Sequence, residues 1–189
     1  MSEEEYEVRG PHEVALEGEF GEWDAFSSKI AVATAILATL GAFFSYQAGS
    51  TQNEAAMFKN DAAIKKTEAA DQWNFYESKS NKENLAEITL LLPNADHDKY
   101  TKAAEHYDSE KKSIKKQAEN LEAESKGFDV QSEAVMHIHH RWALAMTFIQ
   151  IAISLAAITL LTRKKSLSIG VAAMALGGAV FALLAILKI

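Results

Sequence analysis

The 189-residue sequence lacks the residue patterns on which most enzymes depend. It contains no cysteine, no glycine-rich phosphate-binding loop, no His-Glu-x-x-His zinc motif and no nucleophile elbow. The absence of cysteine is compatible with any cellular compartment, so it says nothing about location. The sequence therefore predicts no catalytic residue and no cofactor, and we expect a protein that is not an enzyme.

Charge is missing from three long apolar runs, residues 30–48, 142–162 and 166–187. Each run has roughly the 20 residues that are needed to cross the hydrocarbon core of a bilayer. Buried helices of soluble proteins rarely stay uncharged for so long. We therefore interpret the runs as three transmembrane helices rather than as the core of a soluble bundle. The lipid bilayer is the first predicted partner.

The segment before the first run, residues 1–29, is acidic. It holds nine acidic residues against Arg9 and Lys29, a composition that does not fit a cleaved secretory leader. It also has too few apolar residues to fold alone. We expect a flexible tail or an interfacial segment, with Trp23 and Phe26 at the headgroup layer.

The loop between the second and third runs, residues 163–165, predicts the orientation of the chain. It consists of Arg163, Lys164 and Lys165, and basic residues in short loops resist translocation. This loop is therefore expected in the cytoplasm. The N-terminus would then also be cytoplasmic, and residues 49–141 would lie on the outer, periplasmic side of an inner membrane.

A seven-residue repeat runs from Tyr100 to Trp142. Its members are large apolar or aromatic residues: Tyr100, Tyr107, Ile114, Leu121, Phe128, Val135 and Trp142. This spacing predicts a helix with one side facing a partner helix. A second row lies four residues after the members of this repeat and includes Ala104 and Ala118. We interpret Lys111, Ser125 and Ser132 as polar interruptions of that row.

The partner helix is expected upstream in the same chain. There a second repeat consists of Ala55, Ala62, Ala69, Tyr76 and Leu90, with Glu83 breaking it. Pro93 predicts a turn near residues 93–96, and Asp96 can cap the helix that follows. The predicted fold is an all-α membrane protein, in which a long antiparallel coiled-coil hairpin separates the first two of three transmembrane helices.

Such a thin hairpin buries little surface, so we expect copies of the chain to associate into a homo-oligomer. Residues 90–92, three leucines at the predicted tip, would be exposed in a monomer or would pack on Tyr100. The expected function is a non-enzymatic scaffold or a hairpin that binds a protein partner.

An oligomeric pore is the alternative function. Thr147, Gln150 and Ser154 share one side of the second transmembrane helix. They could line a narrow channel between subunits or form hydrogen bonds between helices.

The net charge of −7 argues against nucleic acid as a partner. The basic patch at Lys111, Lys112, Lys115 and Lys116 is flanked by acidic residues and is interpreted as an ion-pairing surface between hairpins.

Three histidines, His137, His139 and His140, precede the second transmembrane run. His137 and His140 share a side of the helix and are weak candidates for metal binding, since only an oligomer could complete the site. We favour a joint between hairpin and membrane, where any regulatory chemistry would be protonation.

Two stretches carry a family resemblance. The most specific positions are Asp71, Gln72, Trp73, Tyr76, Lys79 and Ser80, together with His140-Arg141 and Gln150 at the start of the second run. With these residues the chain resembles a bacterial membrane family catalogued as domain of unknown function 4337. The resemblance implies the same membrane architecture and supplies no activity.

Overall fold

The computed structural model describes residues 25–188, and every regular element in that range is an α-helix. Helix α1 spans Ala25–Thr89, α2 spans His97–Thr162 and α3 spans Lys165–Ile186. Each is long and apolar enough, by length and composition, to cross a membrane. The prediction of an all-helical chain with three long apolar helices is thus confirmed for these residues. Most of the predicted acidic tail, including Trp23, lies outside the described residues.

Two short connections join the helices. Between α1 and α2, the Asp96 carboxylate accepts a hydrogen bond of 3.1 Å from the backbone N–H of Lys99, which confirms the predicted cap. Between α2 and α3, Arg163 has a φ of 51°, a left-handed conformation that commonly ends a helix.

The described chain divides into two units, and each forms its own set of contacts. We call residues 25–46 and 141–188 the apolar unit, because they include most of the three charge-free runs. Residues 47–140 form the charged unit, which contains the predicted hairpin.

The core of the apolar unit follows the heptad spacing of its helices. On α2 the buried side chains alternate at steps of four and three residues: Ala145, Ile149, Ala152, Ala156 and Thr159. On α1 they recur every seven residues: Ile30, Leu37 and Phe44. Such steps keep one side of a helix against its neighbours.

Trp142 closes one end of this core. Its indole is only 3% exposed and lies against two aromatic rings, with centroid distances of 6.1 Å to Phe43 and 5.6 Å to Phe44. Aromatic pairs at such distances add about 0.5–1.5 kcal/mol beyond the area that they bury.

Gly178 lets α3 approach α2 closely. A Cβ atom at this position would lie 3.0 Å from two carbons of Ile149 and 3.1 Å from the carbonyl oxygen of Ala145, which cannot rotate away. Gly178→Ala is therefore expected to destabilise the apolar unit by about 1–3 kcal/mol, as overpacking does. Thermal unfolding of the full chain in detergent measures this change.

Gly170→Ala is the matched control for that variant. Its Cβ would lie 3.6 Å from Leu155, an ordinary contact, so the substitution should be neutral or stabilise the helix by up to about 1 kcal/mol. Equal melting temperatures for the two variants would contradict the importance of the approach at Gly178.

Candidate functional site

Three side chains of α2 bind backbone carbonyls of α1 in the charged unit. The Ser125 hydroxyl donates to Ala62, the Ser132 hydroxyl donates to Ala55, and His139 Nδ1 lies against the carbonyl oxygen of Ala48. Each distance is 2.8 Å. We call these three contacts the carbonyl ladder.

Small residues make the carbonyl ladder possible. The three alanines are at most 7% exposed, and their methyl groups allow the two backbones to approach closely. A helical carbonyl already accepts one bond within its own helix, and its second lone pair can accept another. A serine hydroxyl is short enough to use that lone pair from the opposite helix.

The contact of His139 assigns the position of its proton. A carbonyl oxygen can only accept a hydrogen bond, so the Nδ1 atom of His139 must carry the proton. The ring is half-buried, and its centroid lies 5.7 Å from that of His140.

The interpretation of Ser125 and Ser132 as interruptions was wrong. Both serines are buried and only 7% exposed, and the seven-residue row that includes them also includes Ala118, which is fully buried. A buried hydroxyl that finds an acceptor contributes about 0.5–1.5 kcal/mol, whereas one without an acceptor is costly. The polar positions are therefore part of the helix contact.

A second group of contacts involves charged and aromatic residues nearer the turn. Lys79 Nζ lies 2.8 Å from Glu110 Oε2 and 5.1 Å and 5.7 Å from the ring centroids of Phe75 and Tyr107. Lys111 forms an ion pair with Glu83 and lies over the ring of Tyr76 at 5.8 Å. We call these seven residues the charged–aromatic cluster.

The ion pairs of this cluster shift two pKa values. The hydrogen bond from Lys79 lowers the pKa of the Glu110 carboxyl below its ordinary value. The hydrogen bond to Glu83 raises the pKa of Lys111, against the opposing effect of burial. The Glu83 and Lys111 side chains are only 13% and 15% exposed, so this pair is much better shielded from water than most surface ion pairs.

The four lysines of the basic patch were predicted to form ion pairs between hairpins. Most of them form ion pairs with acidic residues of the same chain. Lys111 binds Glu83, Lys112 Nζ lies 2.6 Å from Asp108, and Lys115 Nζ lies 3.8 Å from Glu119. These contacts use three of the four lysines inside one molecule.

The family-like block on α1 contacts α2 through three of its members. Trp73 Nε1 donates a 2.8 Å hydrogen bond to Glu122, and its ring packs edge-on against Tyr76 at 5.7 Å. Tyr76 and Lys79 belong to the charged–aromatic cluster. Gln72 and Ser80 are half-buried, and Asp71 is exposed. These contacts favour a structural role for Trp73, Tyr76 and Lys79 in fixing how the helices align.

Comparison with protein-family models gives a match to a domain of unknown function, DUF4337, over residues 26–188. The chain belongs to the DUF4337 family. The predicted resemblance is thereby confirmed, and the match covers nearly all the described residues. No curated protein and no solved structure matched the chain. The DUF4337 description assigns no activity, so function must be argued from the contacts of this chain.

The predicted seam of the DUF4337 protein is buried unevenly. Ile114 and Trp142 are buried, whereas the other five members are half-buried: Tyr100, Tyr107, Leu121, Phe128 and Val135. Phe128 stacks on Phe58 of α1 with a centroid distance of 6.4 Å. The carbonyl ladder and these larger residues together form the contact between α1 and α2.

The candidate pore residues lie on an exposed side of α2 in the apolar unit. Thr147 and Ser154 donate to carbonyl oxygens of their own helix, at 2.8 Å and 3.0 Å. The Gln150 amide makes no hydrogen bond to any part of the chain that the structure describes. An unpaired amide in hydrocarbon is costly, so Gln150 needs a partner if this segment crosses a bilayer.

The histidines are not gathered into a metal site within one molecule. His137 and His140 are exposed, and His139 is directed to Ala48. Across residues 25–188 no group of three or more His, Cys, Asp or Glu side chains is placed to hold a metal ion.

Sequence reasoning missed the roles of Ser125, Ser132 and His139. The signal that could have found them is their exact match in spacing to Ala62, Ala55 and Ala48, since both sets recur every seven residues.

Proposed function

We propose that this DUF4337 protein is a non-enzymatic, self-associating membrane protein whose charged unit is an antiparallel helical hairpin that acts as a scaffold or as a partner-binding surface. The observation that carries the proposal is a group of large aliphatic side chains exposed at the end of α1 and in the turn that follows it. Leu85, Ile88, Leu91 and Leu92 are between 57% and 83% exposed. Groups of exposed large apolar residues commonly mark sites of protein interaction.

The antiparallel arrangement is supported by the order of the contacts. As the position on α1 advances from Ala48 to Ala62, the partner on α2 recedes from His139 to Ser125. The same order continues to the pair of Lys79 and Glu110.

Membrane insertion is supported by the length and low charge of the three apolar segments. The basic residues 163–165 favour a cytoplasmic loop between α2 and α3, a cytoplasmic N-terminus and a charged unit on the outer side of an inner membrane.

An oligomeric pore is the second candidate. It is favoured by the Gln150 amide, which makes no hydrogen bond within residues 25–188. In an oligomer this amide can face water in a channel, or it can bond to a neighbouring helix without forming one. We favour the second arrangement because residues 30–48, 142–162 and 166–187 contain no Asp, Glu, Lys, Arg or His, the residues that mark ion and proton paths in membranes.

The subunit count of the full-length protein in native nanodiscs tests the scaffold proposal. We expect a particle of two or more copies by mass measurement; a monomer at all protein concentrations would overturn self-association. In sealed vesicles we expect no ion flux that depends on the protein. A flux that Gln150→Leu abolishes would instead establish the pore.

Orientation can be measured separately, because the natural chain has no cysteine. Single cysteines introduced by Ser109→Cys and Ser166→Cys report on the two sides. A reagent that cannot cross the membrane should label the first from outside the cell. Labelling of only the second would reverse the orientation.

A further inference from the structure

We propose that the side of α1 turned away from α2 is a second helix seam, and that it binds the same side of α1 in a second copy of this chain, in parallel register. This inference rests on the proposed membrane-anchored, self-associating function and specifies the surface that performs it.

Two rows of α1 residues define this outer seam. The first recurs every seven residues: Asn53, Asn60, Thr67, Asn74, Asn81 and Ile88. The second also does: Met57, Ile64, Asp71, Ser78 and Leu85. The rows alternate at steps of four and three residues, which is the spacing of a coiled-coil seam.

The outer seam is exposed along its whole length. All eleven residues are exposed, with values of 68% for Met57 and 65% for Leu85. The seven from Asn53 to Asn74 lie two or five residues after the buried Ala48, Ala55, Ala62 and Ala69. The last four lie at the same spacing after the half-buried Tyr76 and Glu83, so the seam is on the side of the helix turned away from these residues. The seam is about 50 Å long at 1.5 Å per residue.

Low charge together with exposed aliphatic residues distinguishes the outer seam from the outward side of α2. Asp71 is its single charged residue, although 24% of the chain is charged. The equivalent outward positions of α2, such as Lys116, Asn120 and Gly127, also carry little charge, so the difference between the two helices lies in their exposed apolar residues. Within residues 97–140, Val130 is the one exposed large aliphatic side chain. The unpartnered seam is therefore specific to α1.

The chemistry of the outer seam identifies a second copy as the occupant. An asparagine amide offers both a donor and an acceptor, so it can pair with the same amide of an identical helix. A seam asparagine is also a known determinant of register between coiled-coil helices. Copies anchored in one membrane are parallel, which places Asn60 opposite the Asn60 of the other copy, and Asn74 opposite its counterpart.

One pair of residues that flanks the outer seam is complementary in the same register. Glu77 precedes Ser78 on one flank, and Lys82 follows Asn81 on the other, five residues further along the chain. In a parallel coiled coil, flanking residues with this offset face each other across the seam and form interhelical ion pairs. Glu77 of each copy would thus meet Lys82 of the other.

Substitution of Asp71 tests the register, because it is expected to strengthen association, whereas a folding defect would weaken it. The parallel register brings two Asp71 carboxylates together, and like charges across a seam oppose association. Asp71→Asn should therefore strengthen the association of copies, by about tenfold or more in the association constant. Ile64→Lys should weaken it by about tenfold, because it brings an unpaired charge into the contact.

Disulfide cross-linking of the full-length protein in liposomes tests the register directly. Asn60→Cys and Asn74→Cys each introduce the sole cysteine of the chain. On mild oxidation we expect both to form disulfide-linked dimers. Asn120→Cys is the matched control, because Asn120 is an exposed asparagine on the outward side of α2, and it should form several-fold less. Circular dichroism should show equal helix content for all three.

The outcomes separate this inference from the proposed function. If the particle mass shows an oligomer but Asn60→Cys cross-links no better than Asn120→Cys, the outer seam is wrong and another surface joins the copies. If Asp71→Asn weakens association, the parallel register is wrong. A monomeric particle without cross-links would overturn both the seam and self-association.

Discussion

Ala62→Leu is expected to lower the free energy of opening of the charged unit by about 1–3 kcal/mol, the usual cost of overpacking a close contact. Ala62 is 3% exposed, and its carbonyl oxygen accepts the hydroxyl of Ser125 at 2.8 Å. A leucine side chain has no room there unless the two helices separate. Their separation would also break the serine bond, at a further cost of about 0.5–1.5 kcal/mol.

Hydrogen exchange of the full-length protein measures this effect locally. Backbone amides in residues 47–140 should exchange faster in Ala62→Leu, since local opening controls their protection. The adjacent Ala63 is exposed, so Ala63→Leu adds the same atoms without entering the contact and should leave exchange nearly unchanged. Faster exchange of similar size in both variants would show that helix packing at Ala62 is not limiting.

Ser125→Ala separates the two contributions of this contact. It removes the hydroxyl but keeps the close approach, so we expect a loss of only about 0.5–1.5 kcal/mol. The order of stabilities should be wild type, then Ser125→Ala, then Ala62→Leu.

The contrast between Ala62 and Ser125 also shows how far the sequence predicts this fold. The three apolar helices followed from charge-free runs, because the bilayer-length signal is averaged over about 20 residues. The alanine row on α1 followed from its seven-residue spacing. Ser125 and Ser132 were misread because hydrophobicity was taken as the mark of a contact position. In a pair of closely packed helices, the opposite backbone is itself a polar partner within reach of a short hydroxyl.

Glu83 and Lys111 were misread for a related reason. Each breaks an apolar repeat when one helix is considered alone, and only the pairing of α1 with α2 brings the two charges together. The sequence cannot supply that pairing, because several acidic residues lie at similar distances from Lys111 along the chain. For the outer seam, the seven-residue spacing can be found in the sequence. That the seam is exposed can be learned only from the structure.

Lys111→Met is expected to destabilise the charged unit by about 1.5–3 kcal/mol, the range of a hydrogen bond to a charged group. It leaves the Glu83 carboxylate largely shielded from water without its ion-pair partner, since that side chain is only 13% exposed. The double variant Glu83→Leu/Lys111→Met should recover most of the loss, because removing both charges leaves neither unpaired. Chemical unfolding of the wild type, the two single variants and the double variant measures the coupling free energy between Glu83 and Lys111.

Asp108 and Lys112 provide the control cycle. Their side chains are 42% and 76% exposed, so water screens this pair and the coupling between the two residues should be small. A coupling for Glu83 and Lys111 no larger than this would contradict the importance of their burial.

The same pair predicts a change of stability at alkaline pH. Because the pKa of Lys111 is raised in the folded protein, its contribution is complete below the ordinary lysine value of about 10.4 and is lost as the pH rises through the raised value. Wild type should therefore lose more stability above about pH 10.4 than Glu83→Leu/Lys111→Met does. The difference between the two proteins reports on Lys111 and its contacts with Glu83 and Tyr76, because all other lysines are the same in both. Parallel alkaline unfolding curves would mean that the Glu83 contact does not favour the Lys111 ammonium in the folded state.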